Sequence, residues 1–246
     1  MIRTALLSAW IVLTTFICAL AAIGVSFLRK GGNLAHLVGR FWARSVVFVS
    51  RVKVSVQGLE HIDPSATYVY MANHQSMFDI LALLGYLPVQ FRWLAKMELF
   101  QIPVFGYSMA RVGYISIDRS NRKAAYQSLQ EAAQKIAQGV SVVVFPEGTR
   151  SPDGQVKPFK GGGFYLAIRS GRPIVPVVIS GSHHVMPKGM LRIRPGRIVL
   201  SINPPIDTTP HNKNTKEVLM ELVRSTMKRD LEKINIAEGS KLKTQS

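Results

Sequence analysis

His74 and Asp79 are a pair of side chains that could act as a general base and its partner. Histidine takes up a proton near neutral pH because its unperturbed pKa is about 6.5, and a carboxylate on its second ring nitrogen fixes the tautomer. Residues five apart on one helix point about 140° away from each other, so a continuous helix would separate this pair. A strand end, a turn and a new helix would bring the two side chains together. The alternative interpretation is a core histidine followed by an aspartate at a helix N-terminus.

The stretch FPEGTRS, residues 145–151, is the second candidate site and has the composition of a phosphate-binding turn. Gly148 permits close approach of the backbone, Thr149 offers a hydroxyl, and the Arg150 guanidinium can hold a phosphate with two hydrogen bonds. Glu147 is unusual beside an anion unless it binds hydroxyl groups or positions Arg150. An ordinary turn with a surface ion pair is the competing interpretation.

Three further cations are candidates for contacts with an anion. Lys160 precedes three glycines that open a predicted helix, and helix N-termini favour anions. Arg119 follows a short predicted strand and could reach the same phosphate with Asp118 as its partner, although a strand-end ion pair explains these residues equally well. Lys96 also lies at a predicted strand end. The Gly-x4-Gly-Lys-Ser/Thr pattern of a nucleotide-binding loop does not occur, so nucleotide hydrolysis is not predicted.

Composition narrows the class of partner. The 246 residues carry 31 Lys and Arg against 14 Asp and Glu, a net charge of +17, and 47% of them are hydrophobic. A basic but apolar chain is typical of a protein that works at a membrane surface or with an acidic partner. The sequence contains no pattern typical of nucleic-acid binding, and its single cysteine, Cys18, excludes an intramolecular disulfide or a multi-cysteine metal site. We therefore predict no metal ion, no cofactor and no nucleic acid.

Residues 1–51 are predicted to form a membrane anchor. No charged residue occurs from Thr4 to Leu28, and a helix of 25 residues would cross about 30 Å of hydrocarbon. The basic residues that follow, including Arg40 and Arg44, favour a cytoplasmic position for the rest of the chain. Residues 33–50 mix apolar and basic side chains, as in a helix that lies on the bilayer interface. They would equally form a two-helix anchor with the first segment, which would then be embedded without spanning.

Residues 52–233 have the pattern of an α/β domain. Strand-like apolar runs, among them Thr67–Ala72 and Val140–Phe145, alternate with helical segments such as Arg122–Gln138. This order predicts a mostly parallel sheet flanked by helices, and ligands of such sheets bind beyond the carboxyl ends of the strands. Both candidate sites follow strands of this kind. The polar residues 234–246 are predicted to be a disordered tail.

Four stretches, in this order, resemble the four motifs of the glycerolipid acyltransferase family: NHQSMFD, GYISIDR, FPEGTRS and IVPVVIS. The similarity covers roughly residues 52–207, and the combination is much more specific than any single motif. It implies that His74 is the catalytic base and Asp79 its partner. It also implies that the phosphate of the acceptor is held by the following residues of the second and third motifs: Arg119, Glu147, Gly148, Thr149 and Arg150.

The resemblance assigns the fourth motif, centred on Pro176, to the acyl-chain pocket or to a structural role. The segment Met97–Met109, rich in Met and aromatic residues, is interpreted as core packing or as the wall of an acyl groove. Three glycines follow Lys160, where the family pattern has one glycine and a bulkier neighbour, so the shape of this loop is not implied by the resemblance.

The implied reaction is acyl transfer from a thioester to the sn-2 hydroxyl of a 1-acyl-glycerol 3-phosphate, a lysophosphatidic acid. The donor is acyl-CoA or an acyl chain on an acidic carrier protein, and the place is the cytoplasmic face of a bacterial inner membrane, among membrane lipids. No acyl-enzyme is needed, and backbone amides near the start of the helix after His74 are the expected oxyanion donors. One alternative is another lysophospholipid or lyso-aminolipid as acceptor. Another is a non-catalytic, membrane-tethered protein that binds anionic lipid.

Overall fold

The computed structural model describes residues 2–29, 31–118 and 120–243. Within these residues the strands are β1 (Val52–Gln57), β2 (Val69–Ala72), β3 (Arg92–Lys96), β4 (Ile115–Ile117), β5 (Val142–Val144), β6 (Ile174–Ser180) and β7 (Gly196–Ile202). The helices are α1 (Ile2–Ser26), α2 (Asn33–Val49), α3 (Phe78–Tyr86), α4 (Met97–Phe100), α5 (Phe105–Val112), α6 (Arg122–Ala137), α7 (Gly162–Ser170), α8 (Ser182–Val185) and α9 (Lys216–Lys243).

The seven strands form one sheet in the order β1-β7-β6-β2-β5-β3-β4. Neighbouring strands are parallel except β6 and β7, which are antiparallel. Strands β2 to β6 therefore end at the same edge of the sheet, which we call the carboxyl edge. Because β7 runs against β6, and β1 runs with β7, these two strands begin at that edge. The prediction of a mostly parallel sheet flanked by helices is confirmed.

Each face of the sheet is covered by helices. Alternate residues of β2 belong to different cores: Tyr70 packs in the core that includes α2 and α3, and Met71 packs in the core that includes α6, α7 and α9. This alternation follows from the pleat of a strand, in which successive side chains point to opposite faces. A parallel sheet covered on both faces accounts for the continuous apolar runs of β5 and β6.

Helices α1 and α2 form an antiparallel hairpin. Arg3 Nη2, near the start of α1, donates to the carbonyl of Ser50, just past the end of α2, at 3.1 Å. At the other end of α1, Arg111 Nε donates to Ser26 Oγ at 2.8 Å. Both ends of α1 are therefore bound to the rest of the protein. In the described part of the chain, one helix is long and apolar enough to cross a membrane, at Arg3–Ser26, with a mean hydropathy of 2.3.

Arg40 and Arg44 of α2 have a structural role that the sequence interpretation did not include. Arg40 Nη2 donates to the carbonyls of Leu87 and Val89 at 3.0 and 2.8 Å, and Arg44 Nε donates to the carbonyl of Gly85 at 2.7 Å. These carbonyls lie at and just beyond the C-terminal end of α3, where backbone acceptors have no partner within the helix. Cations there are also favoured by the helix dipole. The two arginines thus fasten α2 to α3, and this structural role accounts for their charges without a membrane.

The last helix is longer than the sequence indicated. We predicted a helix ending at residue 233 and a disordered tail over 234–246, but α9 continues to Lys243. Ile234 is buried in the core that includes α6, α7 and α9. Ser180 Oγ, at the end of β6, donates to Asn235 Oδ1 at 2.8 Å. Packing of these two residues on the domain explains the extension. Residues 244–246 lie outside the described part of the chain.

Candidate active site

Asn73 directly follows the last residue of β2 and turns the chain out of the sheet. Its side chain is fully buried and pairs with the backbone of Ile179 in the neighbouring strand β6, where Nδ2 donates to the carbonyl at 2.9 Å and Oδ1 accepts from the amide at 2.7 Å. The amide side chain therefore replaces the backbone pairing that another strand residue would make. As a result His74 leaves the sheet at its carboxyl edge.

His74 and Asp79 are brought together by the turn between β2 and α3. His74 Nδ1 lies 2.8 Å from Asp79 Oδ2. The same oxygen accepts the backbone amides of Gln75 at 2.6 Å and Ser76 at 2.8 Å, so the carboxylate also holds the turn. Asp79 lies in the first turn of α3, as the strand, turn and helix arrangement requires.

The geometry fixes which nitrogen of His74 is available. Because a carboxylate only accepts hydrogen bonds, the Nδ1 atom beside Asp79 carries the proton, and Nε2 of the neutral ring is left as the acceptor. The His74 ring stacks on Phe145, with centroids 4.0 Å apart and an angle of 14° between the planes, and Phe145 in turn stacks on Trp93. The His74 side chain is 12% exposed and that of Asp79 is fully buried. The imidazole is thus held in one orientation, with Nε2 as its free base.

The FPEGTRS turn is bound directly to the backbone of His74. The amide of His74 donates to Glu147 Oε1 at 3.0 Å, and the amide of Ser151 donates to the carbonyl of His74 at 2.6 Å. Gly148 has a φ of 69°, a left-handed conformation that favours glycine. The two predicted motifs, which lie at the ends of the neighbouring strands β2 and β5, are therefore one structural unit.

The Glu147 side chain is buried and accepts the hydrogen bond from the His74 amide. Burial raises the pKa of its carboxyl from the ordinary 4.5 to about 7, while the hydrogen bond from the His74 amide acts in the opposite direction. Asp79 is a smaller contributor that also raises the pKa. Glu147 supports the backbone of His74 in this structure.

Replacement of Glu147 by glutamine should change the pH dependence of stability. A carboxyl whose pKa is raised in the folded state contributes stability below about pH 4.5 that is lost as the pH rises through about 7. The Glu147→Gln variant should therefore gain about 2–3 kcal/mol relative to the wild type between pH 4.5 and pH 8. Urea unfolding in detergent micelles at several pH values measures this difference. Glu60→Gln, at an exposed position, serves as the matched control, and a Glu147→Gln effect that is constant with pH would contradict the assignment.

Several cations lie around the FPEGTRS turn. The Lys160 amide donates to the carbonyl of Pro146 at 2.8 Å, and a Cβ added to Gly148 would come within 3.3 Å of Lys160 Nζ, so this ammonium lies over the glycine. Lys188 Nζ lies 3.5 Å from Thr149 Oγ1. Arg150 is half-buried in the same turn. Arg150 thus belongs to the turn, and Lys160 and Lys188 approach it from two later segments of the chain.

The other predicted site residues are placed as follows. Lys96 is exposed at the end of β3 and lines the cavity that His74 also lines. Arg119 lies outside the described residues, and the Oδ1 atom of its predicted partner Asp118 accepts the amide of Ser120 at 2.8 Å. Pro176 is buried in β6, one residue before the ladder with β7 begins, and its carbonyl accepts the amide of Asn203 at 2.9 Å.

An apolar cavity of about 470 Å³ extends from His74 to α1. At the site end it is bounded by Phe145 and Gly148, and at the far end by residues of α1 that include Cys18. Its remaining wall includes the following residues of the segment 97–109: Leu99, Phe105, Ser108 and Met109. This segment, which the sequence left open between core packing and an acyl groove, does line a cavity.

Backbone amides after His74 are less available than expected for stabilising an oxyanion. The amides of Gln75 and Ser76 both donate to Asp79, and the amide of Phe78 donates to Ser76 Oγ at 3.2 Å. The expectation of oxyanion donors among these amides is therefore corrected for these three residues. Among the described residues, no three His, Cys, Asp or Glu side chains are grouped so that they could hold a metal ion.

A family model described as Acyltransferase matches residues 53–180, slightly more than half of the chain. The chain is also 34% identical over 205 residues to a protein of Limnanthes douglasii named 1-acyl-sn-glycerol-3-phosphate acyltransferase. This match covers 83% of the chain and 71% of the relative. The chain therefore belongs to the acyltransferase family.

Two further matches carry corresponding names. The chain is 35% identical over 211 residues to 1-acyl-sn-glycerol-3-phosphate acyltransferase alpha of Bos taurus, with 85% of the chain and 73% of the relative covered. Its structure resembles the crystal structure of the 1-acyl-sn-glycerophosphate (LPA) acyltransferase PlsC from Thermotoga maritima, with a TM-score of 0.80 and 29% identity. That match covers 95% of this chain and 97% of the other.

Sequence reasoning did not identify Asn73, Phe145, Trp93 or Lys188 as parts of the site. Asn73 and Phe145 lie within or beside the quoted motifs, so their positions were a usable signal. Trp93 and Lys188 reach the site from β3 and from the connection before β7. Their contributions depend on strand order, which the local sequence does not contain.

Proposed function

We propose that this chain transfers an acyl group from a thioester to the sn-2 hydroxyl of a 1-acyl-glycerol 3-phosphate, giving a phosphatidic acid. The observation that carries the proposal is the position of His74, which lies between a group of cations and the end of an apolar cavity. A lysolipid phosphate suits the cations of the FPEGTRS turn. The cavity volume of about 470 Å³ lies within the ~300–1,000 Å³ common for ligand pockets and suits an acyl chain.

The reaction follows from the free nitrogen of His74. Nε2 removes the proton of the acceptor hydroxyl as that oxygen attacks the thioester carbonyl, and Asp79 stabilises the imidazolium through Nδ1. An ester C–O bond forms and the C–S bond breaks. The proton on Nε2 then passes to the thiolate, so His74 returns to its neutral form. The chain's own residues thus act as base, orienting carboxylate and phosphate ligands, and the acyl group passes directly between the two substrates.

The membrane position belongs to the same proposal. α1 exposes large apolar residues along much of its length, yet contacts the domain at both ends through Arg3 and Arg111. A helix bound in this way lies along the domain, so we favour the hairpin as an anchor embedded in one leaflet. The carboxyl edge would then face the lipid, at the cytoplasmic side of a bacterial inner membrane where acyl thioesters are available.

A panel of acceptors tests the proposal. Purified full-length protein is given acyl-CoA or acyl-acyl-carrier protein with one of three acceptors: 1-acyl-glycerol 3-phosphate, 1-acyl-glycerol or lysophosphatidylcholine. We expect kcat/KM to be about 10²-fold higher or more for the phosphate monoester, because the other two lack charge-assisted hydrogen bonds to a dianion. Equal rates with all three acceptors would contradict the assignment of the acceptor, and comparison of the two donors identifies the carrier.

A further inference from the structure

The connection between α8 and β7 exposes two large apolar side chains beside the site. We call residues 186–195, MPKGMLRIRP, the cationic loop. Met190 is 53% exposed and Leu191 is 81% exposed, although both lie in a chain with an extensive apolar core. Exposure of two adjacent residues of this kind to water is unfavourable and typical of a surface that binds another apolar surface.

The exposed tip belongs to an ordered loop. Ile193 is buried in the core beside Val185, and the amide of Arg194 donates to the carbonyl of Val185 at 2.9 Å. A turn in which the amide of Met190 donates to the carbonyl of Pro187 at 3.1 Å closes the other side. The loop is therefore anchored at both sides of its tip, which directs Met190 and Leu191 outward.

Cations surround the two apolar residues. Lys188, Arg192 and Arg194 are exposed within the loop, and Arg197 is exposed at the start of β7. No acidic residue occurs from 154 to 206, and within the part of the chain that the structure describes none of these four side chains forms an ion pair. Apolar side chains flanked by Lys and Arg suit the interface of a bilayer that contains anionic lipids.

The fold places the cationic loop at the carboxyl edge, beside the start of α1. β7 begins at that edge, and its first residue Gly196 is paired with Val52 of β1. Ser50, two residues before β1, accepts the hydrogen bond from Arg3 of α1. The loop thus shares one edge of the molecule with the first turns of α1, where Leu6 is exposed.

The loop also contacts both parts of the catalytic unit. Ser76 Oγ, in the turn after His74, donates to the carbonyl of Met186 at 2.8 Å. Two residues further along the loop, Lys188 Nζ lies 3.5 Å from Thr149 Oγ1 of the FPEGTRS turn. A surface that holds the loop would therefore lie next to the site.

We propose that the cationic loop is a second membrane contact, in which Met190 and Leu191 enter the interface of an anionic bilayer while its Lys and Arg side chains bind the lipid phosphates. This contact sets the orientation of the carboxyl edge on the membrane, in addition to the α1 and α2 hairpin. It does not depend on which lysolipid is the acceptor.

Cysteine accessibility in vesicles tests this contact. Leu191→Cys and, as a matched control, Val218→Cys are made in the full-length chain. Val218 is 64% exposed and lies on α9. This helix covers the face of the sheet opposite to the core in which Ile193 of the loop is buried. Each variant is reconstituted in vesicles of phosphatidylglycerol or of phosphatidylcholine and treated with a polyethylene glycol maleimide. The rate of maleimide reaction of each variant is divided by the rate of the same variant unfolded in SDS, which corrects for the intrinsic reactivity of the thiol. The wild type, whose single cysteine is Cys18, gives the background rate.

In phosphatidylglycerol vesicles we expect the thiol of Leu191→Cys to react about tenfold more slowly than that of Val218→Cys, as for a side chain withdrawn from water. In phosphatidylcholine vesicles most of this protection should disappear. Equal rates at the two positions in phosphatidylglycerol would overturn the membrane contact. Equal protection in both lipids would overturn the role of the cations, and protection by an acidic carrier protein without vesicles would assign the loop to that partner instead.

Discussion

The His74→Ala variant is expected to lose about 10²–10⁴-fold in kcat while remaining folded and bound to membranes, because a positioned general base contributes that much to proton transfer. His74 lies at the end of a cavity and is partly exposed, so its truncation leaves the two cores unchanged. The rate of thiol release with lysophosphatidic acid present measures the effect. Circular dichroism and sedimentation with vesicles provide the controls for folding and membrane binding.

Asp79→Asn is the matched variant for the partner of the base. Alanine at this position would leave the buried amides of Gln75 and Ser76 without an acceptor, at a cost of about 1–3 kcal/mol each. All three hydrogen bonds to Asp79 are made by Oδ2, so asparagine keeps them, and the His74 tautomer, when its side-chain oxygen takes that position and its NH₂ replaces the other carboxylate oxygen. The negative charge that stabilises the imidazolium is lost. We therefore expect a loss similar to that of His74→Ala with a smaller loss of stability. Full activity in either variant would exclude the proposed base.

The Arg150→Gln variant is expected to lose about 30–150-fold in kcat/KM for the phosphate-bearing acceptor, which corresponds to ~2–3 kcal/mol for a charge-assisted hydrogen bond. The physical reason is that Arg150 follows Thr149 in the turn bound to the His74 backbone, where an acceptor phosphate would lie near the reacting hydroxyl. For 1-acyl-glycerol, which has no phosphate, the same substitution should change kcat/KM by less than about threefold.

Arg229→Gln is a suitable control for the loss of one positive charge. Arg229 is exposed on α9, the helix that covers the opposite face of the sheet from α3. Its replacement should leave kcat/KM unchanged for both acceptors. If Arg229→Gln and Arg150→Gln lower the activity equally, the general positive charge of the protein, rather than a phosphate site, accounts for the effect.

The sequence was sufficient to predict the elements that carry the catalytic pair. A strand that stops at Asn73, followed by a turn and a new helix, was the arrangement that would bring Asp79 to His74, and the structure has this arrangement. The alternation of strands with helices along the chain predicted the mostly parallel sheet. Similarly, the glycine and the charges of FPEGTRS marked a turn at a strand end.

Other features depend on contacts between distant segments. Arg40 and Arg44 resemble interfacial cations in sequence, but they bind the carbonyls at the end of α3. The position of Lys188 requires the antiparallel pairing of β7 with β6, which brings the cationic loop to the carboxyl edge. The extension of α9 depends on the contacts of Ile234 and Asn235 with the domain. Composition and local periodicity contain no information on these pairings.

A single-turnover measurement with a labelled acyl thioester and 1-acyl-glycerol 3-phosphate tests the central claim, that His74 activates a lipid hydroxyl for direct acyl transfer. The protein is in excess over the donor, and both products are quantified by mass spectrometry. We predict that the label appears at the sn-2 position of phosphatidic acid in an amount equal to the free thiol, and that both products are nearly lost in His74→Ala. Thiol release with labelled free fatty acid and no phosphatidic acid, or equal transfer by His74→Ala, would contradict the account.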